Sequence, residues 1–311
     1  MSSNWHETLK QWAKPPSESE EEKASNAARM ISEAVRETGV LSSRAFNIYP
    51  TGSYRNNTNV RLGSDVDVAL VLQDAFLYTL PDRVRAEDVG IPSVVSRYGL
   101  GEFRSDIGRA LRQKFGTDVT PGNKTFDIAG NSYRLPADAT PFVLHRYYTG
   151  KRFADGRWEY LEGVETRPAN DPNRRIVNWH KEHYDSGVRR NAATNRRFKR
   201  VARILKRLRD DMKERGTPEA RAACAPAASF LLECLAYIAP DTCFNREAGG
   251  YYEDVRAVIS HAWNVTREDA TASALLEVSG RKRLFGPEQG WTRAQAHEFL
   301  AQAWRRVGFP S

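Results

Sequence analysis

Cysteine is scarce: Cys224, Cys234 and Cys243 are the only three in 311 residues, an odd number with no C-x-x-C spacing. That excludes a disulfide-stapled scaffold and a cysteine zinc finger. Cys234 falls in an apolar helical stretch and is expected to be a small buried hydrophobe. Long apolar runs are missing as well, so no segment reads as a transmembrane helix and no membrane association is expected. The first residues, MSSNWHETLKQWAKPPSESEEEK, lack the apolar core of a secretory signal, which makes the cytoplasm the expected location. Internal repeats are lacking too. What is present, 40% hydrophobic and 28% charged residues, is the composition of a globular chain long enough for one large domain or two packed lobes. Its net charge of +8 favours phosphate-bearing partners: nucleotides, nucleic acid or an anionic surface.

Periodicity divides the chain. Pro15 to Lys23 reads as a turn and the acidic first turn of a helix that ends near Gly39. FNIYP and DVDVALVLQ read as strands, separated by the glycine- and asparagine-rich turn region TGSYRNNTNVRLGS. A helix follows over about Arg97 to Phe115. TFDIAG and YRLPADATPFVLHRYY read as a strand pair turning at Gly130-Asn131, and RWEYLEGVET as a further hairpin. From Asn191 onward the pattern is helical, with helices expected over Thr194–Arg215, Ala227–Ile238, Tyr252–Asn264 and Thr292–Val307. The expected organisation is a mixed α/β lobe with an N-terminal helix, residues 1–168, and a helical lobe, residues 169–311. A cleft between two such lobes is a natural ligand site.

The chemistry centres on Gly52-Ser53-Tyr54 followed by Asp65-Val66-Asp67. Side chains alternate across a strand, so Asp65 and Asp67 share one face while Val66 and Val68 enter the core. Two adjacent carboxylates repel unless a cation lies between them, and magnesium binds through one or two carboxylates plus substrate phosphates. Gly52 allows close backbone approach to a phosphate that Ser53 helps to cradle. Asp138, on the second expected strand pair among apolar neighbours, is the best third carboxylate for a two-metal site, as ligand or as base toward an attacking ribose hydroxyl. A lone D-x-D is common on surface strands; its combination with the Gly-Ser turn and a strand aspartate downstream carries the functional reading.

In the helix from Thr194, Lys199, Arg203 and Lys206 lie at i, i+4 and i+7 and share a face, whereas Phe198, Val201, Leu205 and Leu208 share the core face. A basic row of that kind neutralises a triphosphate or is simply solvated. His180 and His183 form H-x-x-H without companion ligands and are expected to be structural. Tyr147, Tyr148, Trp158 and Trp179 are open to a base-stacking or a packing reading.

TGSYRNNTNVRLGSDVDVALVL resembles the G-S…D-x-D signature of the polymerase-β-like nucleotidyltransferase superfamily. PADATP, IVNWHKEHYDSGVRRNAATNRRFKRVARILKRL and PAASFLLECLAY narrow the resemblance, over most of the chain, to the cyclic-oligonucleotide synthases of bacterial antiphage defence (CBASS), the CD-NTases. These are relatives of cyclic GMP-AMP synthase and oligoadenylate synthase. The pyrimidine–purine subgroup is the most similar. The resemblance implies an α+β polymerase-β-like core, a mixed sheet with flanking helices, packed on a helical C-terminal lobe. It implies two Mg2+ ions, replaceable by Mn2+, on Asp65, Asp67 and Asp138. It further implies nucleotide contacts from Gly52, Ser53, Lys199, Arg203, Lys206 and Ser229, and base selection by Asn178. The implied reaction joins two NTPs into a cyclic dinucleotide such as cyclic UMP-AMP, releasing pyrophosphate, for a downstream cyclic-dinucleotide-sensing effector. A monomer without stable nucleic-acid binding is expected. The histidine–cysteine zinc insertion of the vertebrate cyclic GMP-AMP synthase has no counterpart here. Two other readings stay open: a nucleotidyltransferase of the same superfamily that modifies RNA, a protein or a small molecule, and a non-catalytic nucleic-acid-binding module built on the basic helix.

Overall fold

The computed structural model describes residues 5–60, 64–92 and 96–310. Its elements run α1 (Trp5–Trp12), α2 (Glu18–Arg36), α3 (Gly39–Ser42), β1 (Phe46–Pro50), α4 (Gly52–Asn56), β2 (Val66–Thr79), α5 (Leu100–Phe115), β3 (Val119–Pro121), β4 (Phe126–Ile128), β5 (Ala137–Arg152), β6 (Trp158–Thr166), β7 (Ile176–Asn178), α6 (His180–Ala193), α7 (Arg197–Arg215), α8 (Pro218–Cys224), α9 (Ser229–Tyr237), α10 (Tyr252–Val265), α11 (Asp269–Ala272) and α12 (Arg293–Val307). Of the expected turn region before β2, residues 61–63 lie outside the described residues.

Two compact units emerge: one of residues 18–54 and 65–180, the other of 1–17, 55–64 and 181–311. These units differ in their bounds from the expected division at 168/169. β7 pairs with β6 and so belongs to the sheet, while α1 buries Leu9 in the core of the helical unit.

In the first unit one sheet runs in the order β1-β2-β5-β4-β3, with β6 on β5 and β7 on β6. β2 is a central strand, antiparallel to β1 and parallel to β5. Val68 to Leu72 are all 0–1% exposed, the continuous apolar run of a strand covered on both faces. Alternation still sorts its side chains. Val66, Val68, Leu70 and Leu72 join a core that includes Ala27, Ile31 and Val35 of α2 and Phe103, Ile107 and Leu111 of α5. Ala69 and Val71 face the other way, onto Phe142 and Val164. The turn before β5 forms at Asn131–Arg134 rather than Gly130-Asn131: the Asn131 Oδ1 accepts from the backbone N–H of Tyr133 and Arg134 at 2.9 and 3.0 Å, an Asx turn.

The second unit is helical. Along α7, Phe198, Val201, Ala202, Ile204, Leu205, Leu208 and Met212 are wholly buried, spaced by three and four, and α8, α9, α10, α12 and α1 supply most of the rest of that core, with Phe244, Val278 and Leu284 from the connections. α6 and α7 are separated by Asn195 and Arg196 at φ of 47° and 62°. The break is sealed by the Thr194 hydroxyl, which accepts from the Phe198 N–H at 3.0 Å. The helices expected from periodicity over 194–215, 227–238, 252–264 and 292–307 are all present to within a few residues. Cys224, Cys234 and Cys243 are buried and free.

Candidate active site

Strand register assembles a row of carboxylates. Asp67 pairs with Asp138 between β2 and β5, and Asp138 pairs with Asp127 between β5 and β4. Val66 and Val68, Ala137 and Ala139, and Phe126 and Ile128 all enter the α2/α5 core. The aspartates between them therefore project from the opposite face, on strands about 4.8 Å apart. Asp65 precedes β2 and is exposed, while Asp67 and Asp138 are half-buried. Asp127 was not among the residues expected from sequence. The alternation in Phe-Asp-Ile was visible, but the register that sets Asp127 beside Asp138 was not.

Burial and, after it, repulsion raise the pKa of Asp138. Burial, the charges of Asp127 and Asp65 and a hydrogen bond with Asp127 push its pKa up to about 6. A carboxylate so tuned accepts a proton near neutral pH more readily than an ordinary one. Gly52 begins α4 at φ +60°, and any Cβ there would overlap the Asp67 carboxylate, so only glycine fits. The Thr51 N–H donates to the Asp67 carbonyl at 2.8 Å, tying the turn to β2. Among the described residues no group of three or more His, Cys, Asp or Glu side chains is placed to hold a metal ion by itself. The row is an open array of hard oxygen donors. That suits magnesium, which keeps waters and substrate oxygens in its coordination sphere rather than filling a protein cage.

In the helical unit the basic row has internal partners. Arg203 and Lys206 do share a face, but they are 4% and 2% exposed and their donors are engaged within the unit. Arg203 donates to the Ala13 carbonyl at 2.7 and 2.9 Å and to the Asn57 carbonyl at 2.6 Å. Lys206 donates to the carbonyl and hydroxyl of Thr58 at 2.9 and 3.2 Å and sits 3.5 Å from Glu233. Glu233 accepts from the Thr58 hydroxyl at 2.7 Å and lies 2.8 Å from His183 Nε2. Burial opposes ionisation of Glu233, but His183 and Lys206 outweigh it and hold the carboxyl at about 2. Burial lowers the pKa of Lys206 and brings Arg203 down to about 10. These side chains clamp segment 56–58, in which Asn57 has φ +51°. The physical reason for the difference is that helix periodicity identifies a shared face but not the chain segment that covers it. Thr58 and Glu233 were not singled out from sequence.

Lys199 is half-buried, with its ammonium 5.8 Å from the Tyr184 ring centre; burial, then the Arg203 charge, lowers its pKa. Ser229 is exposed at the start of α9 and accepts from Arg209 at 3.0 Å. His183 serves Glu233, and His180 stands edge-on to Tyr49 and Phe142, the structural roles expected of both. Asn178 ends β7, opposite Val164. Trp179 is buried, whereas Tyr147 is 43% exposed.

A family model of the cGAS/DncV-like nucleotidyltransferase C-terminal helical domain matches residues 185–308. The chain is 38% identical, over 99% of both sequences, to the cyclic dipyrimidine nucleotide synthase CdnE of Legionella pneumophila. It is 33% identical, over 96% of both, to the cyclic dipurine nucleotide synthase of Elizabethkingia meningoseptica. Its fold is similar to the structure of Rhodothermus marinus CdnE c-UMP-AMP synthase with Apcpp and Upnpp, with a TM-score of 0.81 at 29% identity, covering 98% of this chain and 97% of that one.

Proposed function

The chain belongs to the cGAS/DncV-like nucleotidyltransferases, enzymes that make cyclic dinucleotides from NTPs, and from that premise we propose that it joins a pyrimidine to a purine nucleotide and releases pyrophosphate. The observation that carries nucleotidyl transfer is the register that sets Asp67 beside Asp138, with the Gly52 backbone against the Asp67 carboxylate; the pyrimidine–purine choice rests on the sequence resemblance.

The family uses divalent metal ions, and Asp65, Asp67 and Asp138 would hold two of them here, as Mg2+ or Mn2+. Bound there, the ions would supply positive charge to the attacking and leaving oxygens of the phosphoryl transfer. The chain's own residues do the rest. Asp138 acts on the attacking ribose hydroxyl, as metal ligand or as base. Gly52 and Ser53 present backbone N–H groups and a hydroxyl to the phosphates. In the helical unit, Lys199 and Ser229 are the accessible candidates for triphosphate contact. Arg203 and Lys206 act indirectly by holding segment 56–58. Asn178 reads a base edge, because an amide offers a donor and an acceptor together. The pair of bases is a property of this chain's own site, since similar proteins include dipyrimidine, dipurine and U–A synthases. Under this reading a monomer acts in the cytoplasm, and its product signals to a cyclic-dinucleotide-sensing effector in antiphage defence. Among the described residues no helix is long and apolar enough to cross a membrane.

The test is incubation with all four NTPs and Mg2+ or Mn2+, phosphatase treatment and mass spectrometry. A phosphatase-resistant dinucleotide containing one pyrimidine and one purine is expected. A linear product, or a nucleotide tethered to RNA, protein or a small molecule, would replace this reading with the rival transferase.

A further inference from the structure

β7 is three residues long and pairs only with β6 among the described residues. A strand that short has little pairing energy of its own, and a slip of one residue would turn every side chain to the other face. Something must set its register, and the residues on either side of it do.

Arg175, immediately before β7, donates through Nε to both oxygens of Glu165 at 3.1 and 3.2 Å and through Nη2 to Oε2 at 2.9 Å. The same Nη2 donates to the Tyr78 carbonyl at 3.0 Å. Glu165 is wholly buried on β6, opposite Val177. It is met also by His145 Nδ1 at 2.9 Å and by Arg167 Nε at 3.2 Å. Although burial disfavours its charge, hydrogen bonds from His145 and Arg175 hold the carboxyl at about 2. Beyond the strand, Trp179 packs on Gly163 so closely that a Cβ there would lie 2.9 Å from both the indole and the Asn178 carbonyl.

Asn178 is thus bracketed by an ionic clamp three residues before it and an aromatic anchor one residue after it. A buried carboxylate among three basic side chains adds little net stability over an apolar packing; the best-attested use of such a group is to fix one register. Base reading by an amide needs that fixity, since recognition weakens sharply when a polar group is misplaced by about 1 Å.

We propose that Arg175 and Glu165 set the register of β7 and thereby aim the Asn178 amide, which makes them positioning residues for base selection. This rests on the reading of Asn178 as the base-selecting side chain. The test compares Arg175→Ala, Arg175→Lys and Asn178→Ala with the wild type, by product ratio from an equimolar four-NTP mixture and by thermal unfolding. The Arg175 side chain is 41% exposed, and Glu165 keeps His145 and Arg167 without it, so the variants fold. Arg175→Ala is expected to move the product ratio roughly tenfold, the scale of one lost recognition contact, in the same direction as Asn178→Ala. Arg175→Lys, which keeps the charge but not the two-pronged geometry, is expected to fall between. If Asn178→Ala shifts the ratio and Arg175→Ala does not, the clamp is only structural and the inference is overturned while the base reader stands. If Asn178→Ala itself leaves the ratio unchanged, the base-reading assignment fails and takes the clamp with it.

Discussion

Replacing Asp138 with asparagine should stabilise the metal-free protein at alkaline pH while abolishing its activity. Asp138 ionises at about 6 in the fold instead of 3.8, because of burial and of Asp127 and Asp65 nearby. The native state therefore holds this proton more tightly than the unfolded chain does. The penalty is absent below pH 4, grows as pH rises from about 4 to 6, and is full above that. At about 1.4 kcal/mol per tenfold change in proton affinity, the full penalty would be roughly 3 kcal/mol; solvent screening of a half-buried group reduces it to about 1–2 kcal/mol. Asparagine keeps the shape and carries no charge. At about 2–4 °C per kcal/mol for a unit of this size, Asp138→Asn should unfold roughly 3–6 °C above the wild type at pH 8 in EDTA, and together with it at pH 4. Differential scanning fluorimetry across that range checks the sign. Millimolar Mg2+ or Mn2+ should close the gap by stabilising the wild type more. An equal increment at both pH values would assign the effect to packing, and no increment at pH 8 would refute the charge argument.

Asp65→Asn and Asp67→Asn should each abolish dinucleotide synthesis without lowering the unfolding temperature; wild-type turnover by either would remove that residue from the mechanism. Asp127→Asn removes one of the charges that raise Asp138, so in EDTA the pH dependence of unfolding should move to lower pH; an unmoved profile in differential scanning fluorimetry would mean that the Asp127 charge does not act on Asp138. Lys206→Met breaks a buried ionic network on one side, leaving Glu233 short of a cation, and should cost about 3–5 kcal/mol in denaturant unfolding. Unchanged stability with weakened NTP binding by calorimetry would instead return Lys206 to the phosphate-contact role.

Local periodicity by itself determined a good deal. Alternation in Asp65-Val66-Asp67-Val68 and in Ala137-Asp138-Ala139 separates carboxylate face from core face whatever the strand's neighbours, because it is a property of the pleat. The three-and-four spacing of Phe198, Val201, Leu205 and Leu208 likewise identifies the buried stripe of α7 before any packing partner is known. Gly52 could be singled out, but only the structure showed that the Asp67 carboxylate occupies the space of its missing side chain.

Everything that depends on which segment lies beside which was decided by the tertiary structure. Parallel pairing of β2 with β5 and antiparallel pairing of β5 with β4 bring residues 67, 138 and 127 into one row; the β4–β5 pair is local, but its register depends on the turn between the strands, and the β2–β5 register joins segments about seventy residues apart. The same limit explains Lys206 and Arg203. Their helix face was legible, but its covering by Ala13 and Asn57–Thr58 joins residues more than a hundred positions apart, and burial by so distant a segment turns a basic row into an internal clamp. Glu165 and Arg175 differ from it only in range: they are close in sequence, yet their pairing waits on β6 and β7 meeting at the sheet edge.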